Sequence, residues 1–344
     1  MKETLSTISE RTGISITTIS RVLSGKSDKY RISKATAAII EEEARRCNYT
    51  PSVLAQSLRT NKANTIGLII PTLSNPYFAD IASSIITAVK ARGYTAIVVD
   101  TMENEENQKS CLSALLSRKV DGIIAAPCGK NREMFEEINN SVVPVVLVDR
   151  YFEGSNIPYV TSNNFKGAVD ATTYLLQEGH TNIACIQGDV NSIPTKRRVS
   201  GYIKALKDNG MEDNMLIVGD SYSIQNGYLE GKLLLNRTPR PTAIFATSYT
   251  ILLGVLRAIH DSGLSVPEDI SIIGFDDNVS LDYMLPPVTR ISQPVDEMGR
   301  LAARLLFENI SRKDRISSHV ELTAEIIVKD SVKSILNQAT AGQR

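Results

Sequence analysis

Between Thr65 and Phe275, short apolar runs alternate with stretches of helical periodicity, and this alternation restricts the fold more than any other feature. Short strands separated by helices need crossover connections, which predict parallel sheets covered by helices on both faces. About ten strands are too many for one doubly wound sheet and fit two side by side. The predicted strands are Ile66–Ile70, Ala96–Val99, Gly122–Ala126, Val145–Val148, Ile183–Ile186, Leu216–Val218, Ala243–Ala246 and Ile270–Phe275. The predicted helices are Tyr77–Arg92, Asn107–Arg118, Phe165–Gln177, Lys196–Asn209, Gln225–Leu235 and Thr250–Asp261.

The first fifty residues have a different pattern, which predicts three short helices. Apolar Leu5 and Ile8 lie on the first, and Ser15 is placed to cap the second. Gly13 suits the tight turn between them because glycine adopts positive φ easily. A third helix is predicted from Ser33 to about Cys47. The apolar positions expected to pack are Ile19, Val22 and Leu23 on the second helix, and Ala35, Ala38, Ile39 and Ala44 on the third.

The charge of the chain is divided unequally between its two parts. Residues 1–62 contain 11 Lys/Arg and 6 Asp/Glu, a net charge of +5, whereas the whole chain has net charge zero. Two short helices around a glycine are common in proteins of many kinds. A basic N-terminal part on an acidic body, however, favours binding to a polyanion. The second helix also presents a small, hydrogen-bonding face that can enter a DNA major groove.

A linker with a conditional helix follows this head. Residues 48–51 contain a proline, and residues 52–59 can form one short helix. An isolated helix of this length is unstable in water, because nucleation outweighs its few hydrogen bonds. We therefore expect it to form only when another surface covers its apolar face.

Composition excludes several classes of protein. The chain has no apolar run long enough to span a membrane and no secretory signal pattern, so we expect a cytoplasmic, nucleoid-associated protein. The four cysteines lack C-x-x-C spacing and the three histidines are far apart, which predicts reduced thiols and no metal site. No phosphate-binding glycine motif is present, and we expect no cofactor.

Several motifs along almost the whole chain resemble the lactose-repressor/galactose-repressor family of bacterial transcription regulators. Their order and spacing carry the resemblance, since each alone is weak. They are SITTISRVL at 15–23, RISKAT at 31–36, NYTPSVLAQSL at 48–58, IGLIIPTLSNPYF at 66–78, VPVVLVDR at 143–150, EGH at 178–180, RRVSGY at 197–202, PEDISIIGFDD at 267–277 and ISQP at 291–294.

The resemblance implies an all-α helix-turn-helix head and an α/β body of two doubly wound parallel-sheet lobes, of periplasmic binding-protein type. The function implied is a homodimeric regulator, a repressor, that binds double-stranded operator DNA. A small effector bound between the lobes, a sugar or sugar derivative, would control its affinity. The expected domains are the head at 1–50, a hinge helix and linker at 51–62, lobe one at 63–161 plus 293–320, lobe two at 162–291 plus 321–330, and a tail at 331–344.

The same resemblance assigns the DNA contacts. Ile16, Thr17 and Arg21 match base-contacting positions of the recognition helix. Ile16 departs from the polar or aromatic residues common there, and either contacts a thymine methyl or packs. Leu58 of the hinge helix matches the leucine that wedges between base pairs in the minor groove, although it could instead fix the head to the body. The expected DNA contacts are Thr4, Ser15, Ile16, Thr17, Thr18, Ser20, Arg21, Ser33, Thr36, Tyr49, Ser52, Ala55, Gln56 and Leu58.

Asn75, Phe78, Asp149 and Asp276 follow predicted strands, and ligands of such sheets bind beyond the carboxyl ends of the strands. By the resemblance, Asp149, Arg198, Asp276 and Gln293 match pocket positions of the family, and Tyr222 matches an aromatic one. Tyr77 and Arg150 also follow strands, and each candidate could instead be a lobe–lobe salt bridge or a solvated loop residue. Ser248 and Tyr249 stand where the family usually has Asn-Asp, and this difference leaves open a larger, modified or acidic ligand as well as weak binding or none. The expected contacts are Asn75, Phe78, Asp149, Arg198, Tyr222, Ser248, Asp276 and Gln293.

Two other functions share parts of this pattern. A solute-binding protein for transport has the two-lobed body, but it needs export and no basic head. A sugar-acting enzyme needs a convergent acid–base or nucleophile set, and Asp149 and Asp276 have no paired histidine or metal-ligand cluster. The sequence leaves open the effector, the operator, the sign of regulation and the choice between dimer and tetramer.

Overall fold

The structure is a computed structural model that describes residues 4–49, 62–312 and 314–336. The chain forms two compact units, Met1–Ala63 and Asn64–Arg344, which are described in turn. The predicted hinge helix, with Ser52, Ala55, Gln56 and Leu58, lies outside the described residues, as does the end of the predicted tail. Among the helices described, none is long and apolar enough to cross a bilayer.

The head contains three helices, α1 (Leu5–Thr12), α2 (Ile16–Leu23) and α3 (Lys34–Arg46). Each begins after a hydroxyl residue whose Oγ accepts a hydrogen bond from the backbone N–H three residues on. These caps are Thr4 (3.3 Å), Ser15 (3.3 Å) and Ser33 (3.1 Å). Each one satisfies a donor that the helix itself cannot, which contributes about 1 kcal/mol. Gly13 ends α1 in the left-handed conformation, with φ 70°.

The core of the head is small and consists of Ile8, Ile19, Val22, Ile40 and Ala44. The expected apolar face of α2 is therefore confirmed.

The predicted face of α3 is wrong except at Ala44. Ala35 and Ala38 are exposed, and Ile39 is 54% exposed. The buried face instead passes through Ala37, Ile40 and Ala44. These residues also follow helical spacing, but the face starts at Ala37, two residues after the predicted start at Ala35. Alanine is too small for its burial to set which face of a helix packs, so Ile40 decides the orientation of α3.

The body contains two six-stranded sheets, ordered β11-β5-β4-β3-β1-β2 and β12-β10-β9-β8-β6-β7. All neighbouring strands are parallel except β10 and β12. The strands are β1 Thr65–Ile70, β2 Thr95–Asp100, β3 Gly122–Ala125, β4 Val145–Val148, β5 Tyr159–Ser162, β6 Ile183–Ile186, β7 Leu216–Val218, β8 Ala243–Ala246, β9 Ser271–Phe275, β10 Thr289–Ser292, β11 His319–Leu322 and β12 Glu325–Ile327. The helices are α4 Pro76–Lys90, α5 Glu105–Ser117, α6 Arg132–Ser141, α7 Asn164–Gln177, α8 Ile193–Asp208, α9 Ile224–Leu235, α10 Tyr249–His260 and α11 Val295–Ile310.

The predicted fold class is confirmed, and the predicted strands match β1–β4 and β6–β9 to within one residue at each end. The pattern missed β5, β10, β11 and β12, as well as α6 and α11. These four strands are short, and Thr, Ser, Arg, Glu or His interrupts their apolar pattern. They are recognised as strands only through their pairing in the sheets.

The chain passes between the two sheets three times, after β5, β10 and β11. Helix α11 follows β10 of the second sheet but packs on the first, where Met298 and Leu306 join the cluster that contains Ile66. β5 ends at Ser162 and β11 at Leu322, one and two residues beyond the lobe boundaries expected from the sequence. Residues 331–336, assigned there to the tail, hydrogen-bond to lobe two: Ile272 N donates to Ser331 O and Ile335 N to Glu178 O.

Helices α9 and α10 approach closely on one face of the second sheet. A Cβ on Gly227 would lie 2.1 Å from the backbone oxygen of Ile251, and one on Gly254 would lie 2.1 Å from that of Ile224. Glycine is required at both positions because any side chain would push the helices apart. This packing holds the start of α10 near the carboxyl end of β9.

Candidate functional site

The carboxyl ends of strands from both sheets meet around a small cavity in the body. Its volume is about 20 Å³, space for about one water molecule. Side chains of both lobes close it in this structure. The residues that line it are Asn75, Tyr77, Phe78, Asp149, Arg150, Pro194, Arg198, Tyr222 and Asp276.

Two aspartates occupy matching positions in the two lobes. Asp149 follows β4 and Asp276 follows β9, and both have the left-handed backbone conformation, with φ 63° and 77°. This conformation is uncommon for residues other than glycine and costs on the order of 1 kcal/mol at each position. Both side chains are almost fully buried, at 3% and 2% exposure. Strained backbone that holds a buried carboxylate in a cavity is typical of a binding site.

Close polar contacts through Tyr77 and Gln293 connect these two carboxylates. Tyr77 Oη lies 2.7 Å from Asp149 Oδ1, to which it donates, and 3.1 Å from Gln293 Oε1. Gln293 Nε2 donates to Asp276 Oδ1 at 2.6 Å, and Ser162 Oγ bonds to Gln293 Oε1. Gln293 lies where the chain crosses between the lobes, so a ligand that displaces one of these contacts affects both sheets.

Arg198 on α8 supplies a buried positive charge. Its Nε donates to Asn164 Oδ1 at 2.7 Å and its Nη1 to the backbone oxygen of Thr247 at 2.6 Å. Its Nη2 lies 3.8 Å from Asp276 Oδ1, and the guanidinium stacks 3.7 Å above the Phe275 ring. These contacts fix the guanidinium plane next to the cavity.

Arg150 is the second guanidinium of the cavity. Its Nη1 and Nη2 donate to the two carboxylate oxygens of Glu103, both at 2.7 Å. It lies 5.3 Å from the Phe78 ring of lobe one and 5.3 Å from the Tyr222 ring of lobe two. The bidentate pair sets its orientation, and the two rings hold it between the lobes.

Burial changes the acid–base properties of the cavity. It raises the pKa of Asp149 above its ordinary 3.8, against the opposing effects of Arg198 and Arg150. Burial and the nearby carboxylates of Asp149 and Asp276 raise the pKa of Tyr77 well above 10, so Tyr77 stays a hydrogen-bond donor. In the described ranges, no group of three or more His, Cys, Asp or Glu side chains is placed to hold a metal ion.

In the head, α2 presents an exposed first turn. Ile16 is 47% exposed and Thr17 is also exposed. Ile16 is not part of the packed core of the head, in which Ile19 and Val22 lie. The hydroxyls of Ser15 and Thr18 lie 2.9 Å apart at the start of the helix. The guanidinium of Arg21 stacks 4.0 Å above the Tyr30 ring, which limits its rotation.

The comparisons with known proteins cover almost the whole chain. Residues 172–332 match a family described as a periplasmic binding protein-like domain. The chain is 32% identical over 333 residues to the ribose operon repressor of Escherichia coli, which covers 95% of this chain and 99% of that protein. It is 31% identical over 336 residues to the HTH-type transcriptional repressor PurR of Pasteurella multocida, covering 97% and 99%. The chain belongs to the LacI family of transcriptional regulators.

Solved structures are also similar to this LacI-family regulator. The Lac repressor dimer bound to operator and the anti-inducer ONPF has a TM-score of 0.86 at 24% identity, over 97% of this chain and 100% of that one, which supports the fold. The CelR–cellobiose complex has a TM-score of 0.72 at 26% identity, over 96% and 99%. The predicted family and architecture are thus confirmed.

The structure of this regulator brings most of the expected effector contacts together. Asn75, Phe78, Asp149, Arg198, Tyr222 and Asp276 line the cavity, and Gln293 lies behind it as the link between the aspartates.

Ser248 is not among the lining residues. Its Oγ accepts from Ile251 N and caps α10, whereas the neighbouring Tyr249 N–H donates to Asp276 Oδ2 at 3.1 Å. A residue that follows a strand can equally begin the next helix, and the capping requirement of α10 decides its orientation.

Sequence reasoning missed Glu103, Asn164 and Thr247, which hold the two arginines. Glu103 lies soon after the carboxyl end of β2, so the rule that selected the other residues could have found it. Thr247 directly follows β8, so the same rule reaches its position but does not indicate that its backbone oxygen is the acceptor. Asn164 is the first residue of α7 and follows β5, a strand that the pattern missed.

Proposed function

We propose that this LacI-family regulator is a homodimeric repressor in the cytoplasm, and that a sugar or sugar derivative bound in the cavity controls its affinity for operator DNA. The observation that carries the choice of ligand is the set of polar groups around the cavity. Asp149 and Asp276 accept hydrogen bonds, Arg198 donates them, and the Phe78 ring lies beside them. A sugar hydroxyl both donates and accepts, and the C–H face of a sugar stacks on aromatic rings.

The relatives support this class of ligand. One is a ribose operon repressor, and one solved structure is a complex with cellobiose. A LacI-family regulator from Enterococcus faecium, 26% identical over 79% of this chain, was solved with bound ribose. The buried carboxylates and guanidinium of this chain suit the same chemistry.

DNA binding is proposed through the head. Ile16 and Thr17 are exposed on the first turn of α2, and the stacked Arg21 follows on the same helix. We propose that Ile16 contacts a thymine methyl and that Arg21 contacts a guanine or a phosphate. The first turns of the three helices offer backbone N–H groups and hydroxyls to phosphates. The residues proposed for these contacts are Thr4, Thr18, Ser33 and Thr36.

The proposed switch depends on two copies of the hinge segment. We expect residues 52–59, as a helix too short to be stable alone, to order only when paired with a second copy over the minor groove. The Lac repressor structure is a dimer bound to operator, which supports this arrangement for a protein of the same fold. An effector that prefers one arrangement of the lobes then changes the stability of the paired hinge and thus the operator affinity.

A gel-shift assay of the full chain against a genomic fragment library tests the regulator function. We expect a few fragments with a pseudo-palindromic site to bind specifically over competitor DNA. Uniform weak binding to all fragments would contradict the proposal.

A thermal-shift screen of sugars, sugar acids and nucleobases with the full chain tests the choice of effector. A ligand at a concentration of 100 times its Kd stabilises the body by about 2.7 kcal/mol, which such a screen detects. The matched control is the Arg198→Met variant, which should lose the shift. If a nucleobase and no sugar raises the melting temperature, the carbohydrate assignment is wrong, although the regulator function stands.

A further inference from the structure

A second, larger cavity adjoins the candidate effector site. Its volume is about 310 Å³, which is within the range of small-molecule pockets, and both lobes line it. We call it the outer chamber. Arg150 belongs to its wall and also to the wall of the inner cavity, so the two spaces are adjacent at this side chain. The outer chamber is lined by Pro127, Cys128, Gly129, Lys130, Arg132, Glu133, Arg150, Tyr151, Phe152, Glu153, Asp189, Asn191, Ser192, Ile193 and Lys196.

Arg150 brings an unused donor to this boundary. The residue is only 6% exposed, and its Nη1 and Nη2 are bound to Glu103. Its Nε has no hydrogen-bond partner among the described residues, and Asp149 Oδ2 lies 3.9 Å away. A buried guanidinium N–H without an acceptor is costly, so the site is incomplete without a further acceptor.

The first turn of α8 also opens into the outer chamber. Ser192, Ile193 and Lys196 belong to the chamber wall, and Ser192 does not cap the helix with its side chain. The N-terminus of a helix of this length carries a partial positive charge and free N–H groups. Together with the unpartnered Nε of Arg150, it gives the chamber two independent features that bind an acceptor with negative charge.

Charged side chains of both signs line the outer chamber. The ammonium groups of Lys130 and Lys196, one from each lobe, make no ion pair among the described residues. Of the acidic groups in the wall, Glu153 lies 3.3 Å from the guanidinium of Arg197, and Asp189 accepts from the backbone and side chain of Asn191. Two lysines are thus available at the chamber, and of its three carboxylates only Glu153 is paired with a positive charge among the described residues.

We propose that the effector is an anionic sugar derivative, whose carboxylate or phosphate group occupies the outer chamber while its hydroxylated part occupies the inner cavity. The inference rests on the proposed carbohydrate-controlled function and specifies the class of ligand. The anionic group accepts from Arg150 Nε and from the first turn of α8, and Lys130 and Lys196 neutralise it. The inner cavity widens as the ligand replaces the contacts that close it.

Calorimetric titration of the full chain with matched ligands tests this proposal. The probes are D-glucose, D-glucuronate and glucose 6-phosphate, and D-ribose with ribose 5-phosphate. We expect at least one anionic member to bind about tenfold more tightly than its neutral parent, equivalent to about 1.4 kcal/mol, and this ratio to fall as salt rises. The uronate and the phosphates distinguish the two kinds of anionic group.

Variants connect the preference to the chamber. The double variant Lys130→Gln, Lys196→Gln should lower this ratio, because it removes two positive charges from the chamber wall while Arg150 and the first turn of α8 remain. Lys207→Gln is the control for the loss of a lysine charge, since it removes one such charge from an exposed position at the far end of α8. It should leave the ratio intact.

Three results overturn the inference: equal or weaker binding of every anionic member, a preference that the double variant leaves unchanged, or no binding of any anionic member. If neutral sugars still bind and release the operator, the proposed function stands and only the anionic class is wrong. If no sugar of either kind binds, both the anionic class and the carbohydrate assignment are wrong. Operator binding in the gel-shift assay then decides separately whether the regulator function stands.

Discussion

Replacement of Arg198 by methionine tests whether the candidate site is built as described. The change removes a buried guanidinium, 3% exposed, and preserves most of the aliphatic volume of the side chain. Asn164 Oδ1 and the backbone oxygen of Thr247 each lose a donor, and the buried carboxylate of Asp276 loses its nearest positive charge. Breaking a buried charge pair from one side costs roughly 3–5 kcal/mol.

Part of this cost is offset, because Asp276 keeps the hydrogen bonds from Gln293 Nε2 and Tyr249 N. We therefore expect the lower end of that range, about 3 kcal/mol. For a domain of this size, the melting temperature should fall by about 6–12 °C. Guanidinium denaturation of the full chain followed by far-UV circular dichroism gives the free energy, and the melting curve gives the temperature.

Arg197→Met is the matched control for this measurement. Arg197 is the preceding residue on α8, its side chain is 51% exposed, and it pairs with Glu153 at 3.3 Å. An exposed pair of this kind contributes at most about 1 kcal/mol. If the two variants lose the same stability, or if Arg198→Met loses less than about 1 kcal/mol, Arg198 does not hold the site together and the reasoning fails.

Three further predictions follow from other parts of the molecule. Gly227→Ala should destabilise the body by about 1–3 kcal/mol in chemical denaturation, because the alanine Cβ would lie 2.1 Å from Ile251 O. An unchanged denaturation midpoint would mean that α9 and α10 are not in close contact. Ile16→Ala should weaken operator binding about tenfold in gel shifts, yet change the unfolding free energy of the head by less than about 0.5 kcal/mol. A loss of unfolding free energy as large as the loss of binding free energy would indicate that Ile16 packs in the head. Burial lowers the pKa of His180 below 6.5, so its stabilising contribution is present above that pH and is lost as pH falls through the folded-state pKa. The unfolding free energy should therefore fall more steeply from about pH 7 to about pH 5 in the native chain than in His180→Gln, and parallel curves would exclude this role.

The sequence by itself determined the parts of this protein that depend on local periodicity. The strands β1–β4 and β6–β9 follow from apolar runs, and the helix starts at Ser15 and Ser33 follow from capping chemistry. These features act over a few residues, so neighbours in sequence specify them. The rule that ligands bind beyond strand ends also selected Asp149 and Asp276 correctly as residues of one cavity.

Only the tertiary structure decided which of these residues face one another. The orientation of α3 depends on how Ile40 fits between the other two helices, and Ser248 caps α10 while Tyr249 N–H binds Asp276. The pairing of Glu103 with Arg150, 47 positions apart, arises because β2 and β4 end at the same edge of one sheet. Such contacts join distant segments through the packing of whole elements, and no local pattern in the sequence encodes that packing.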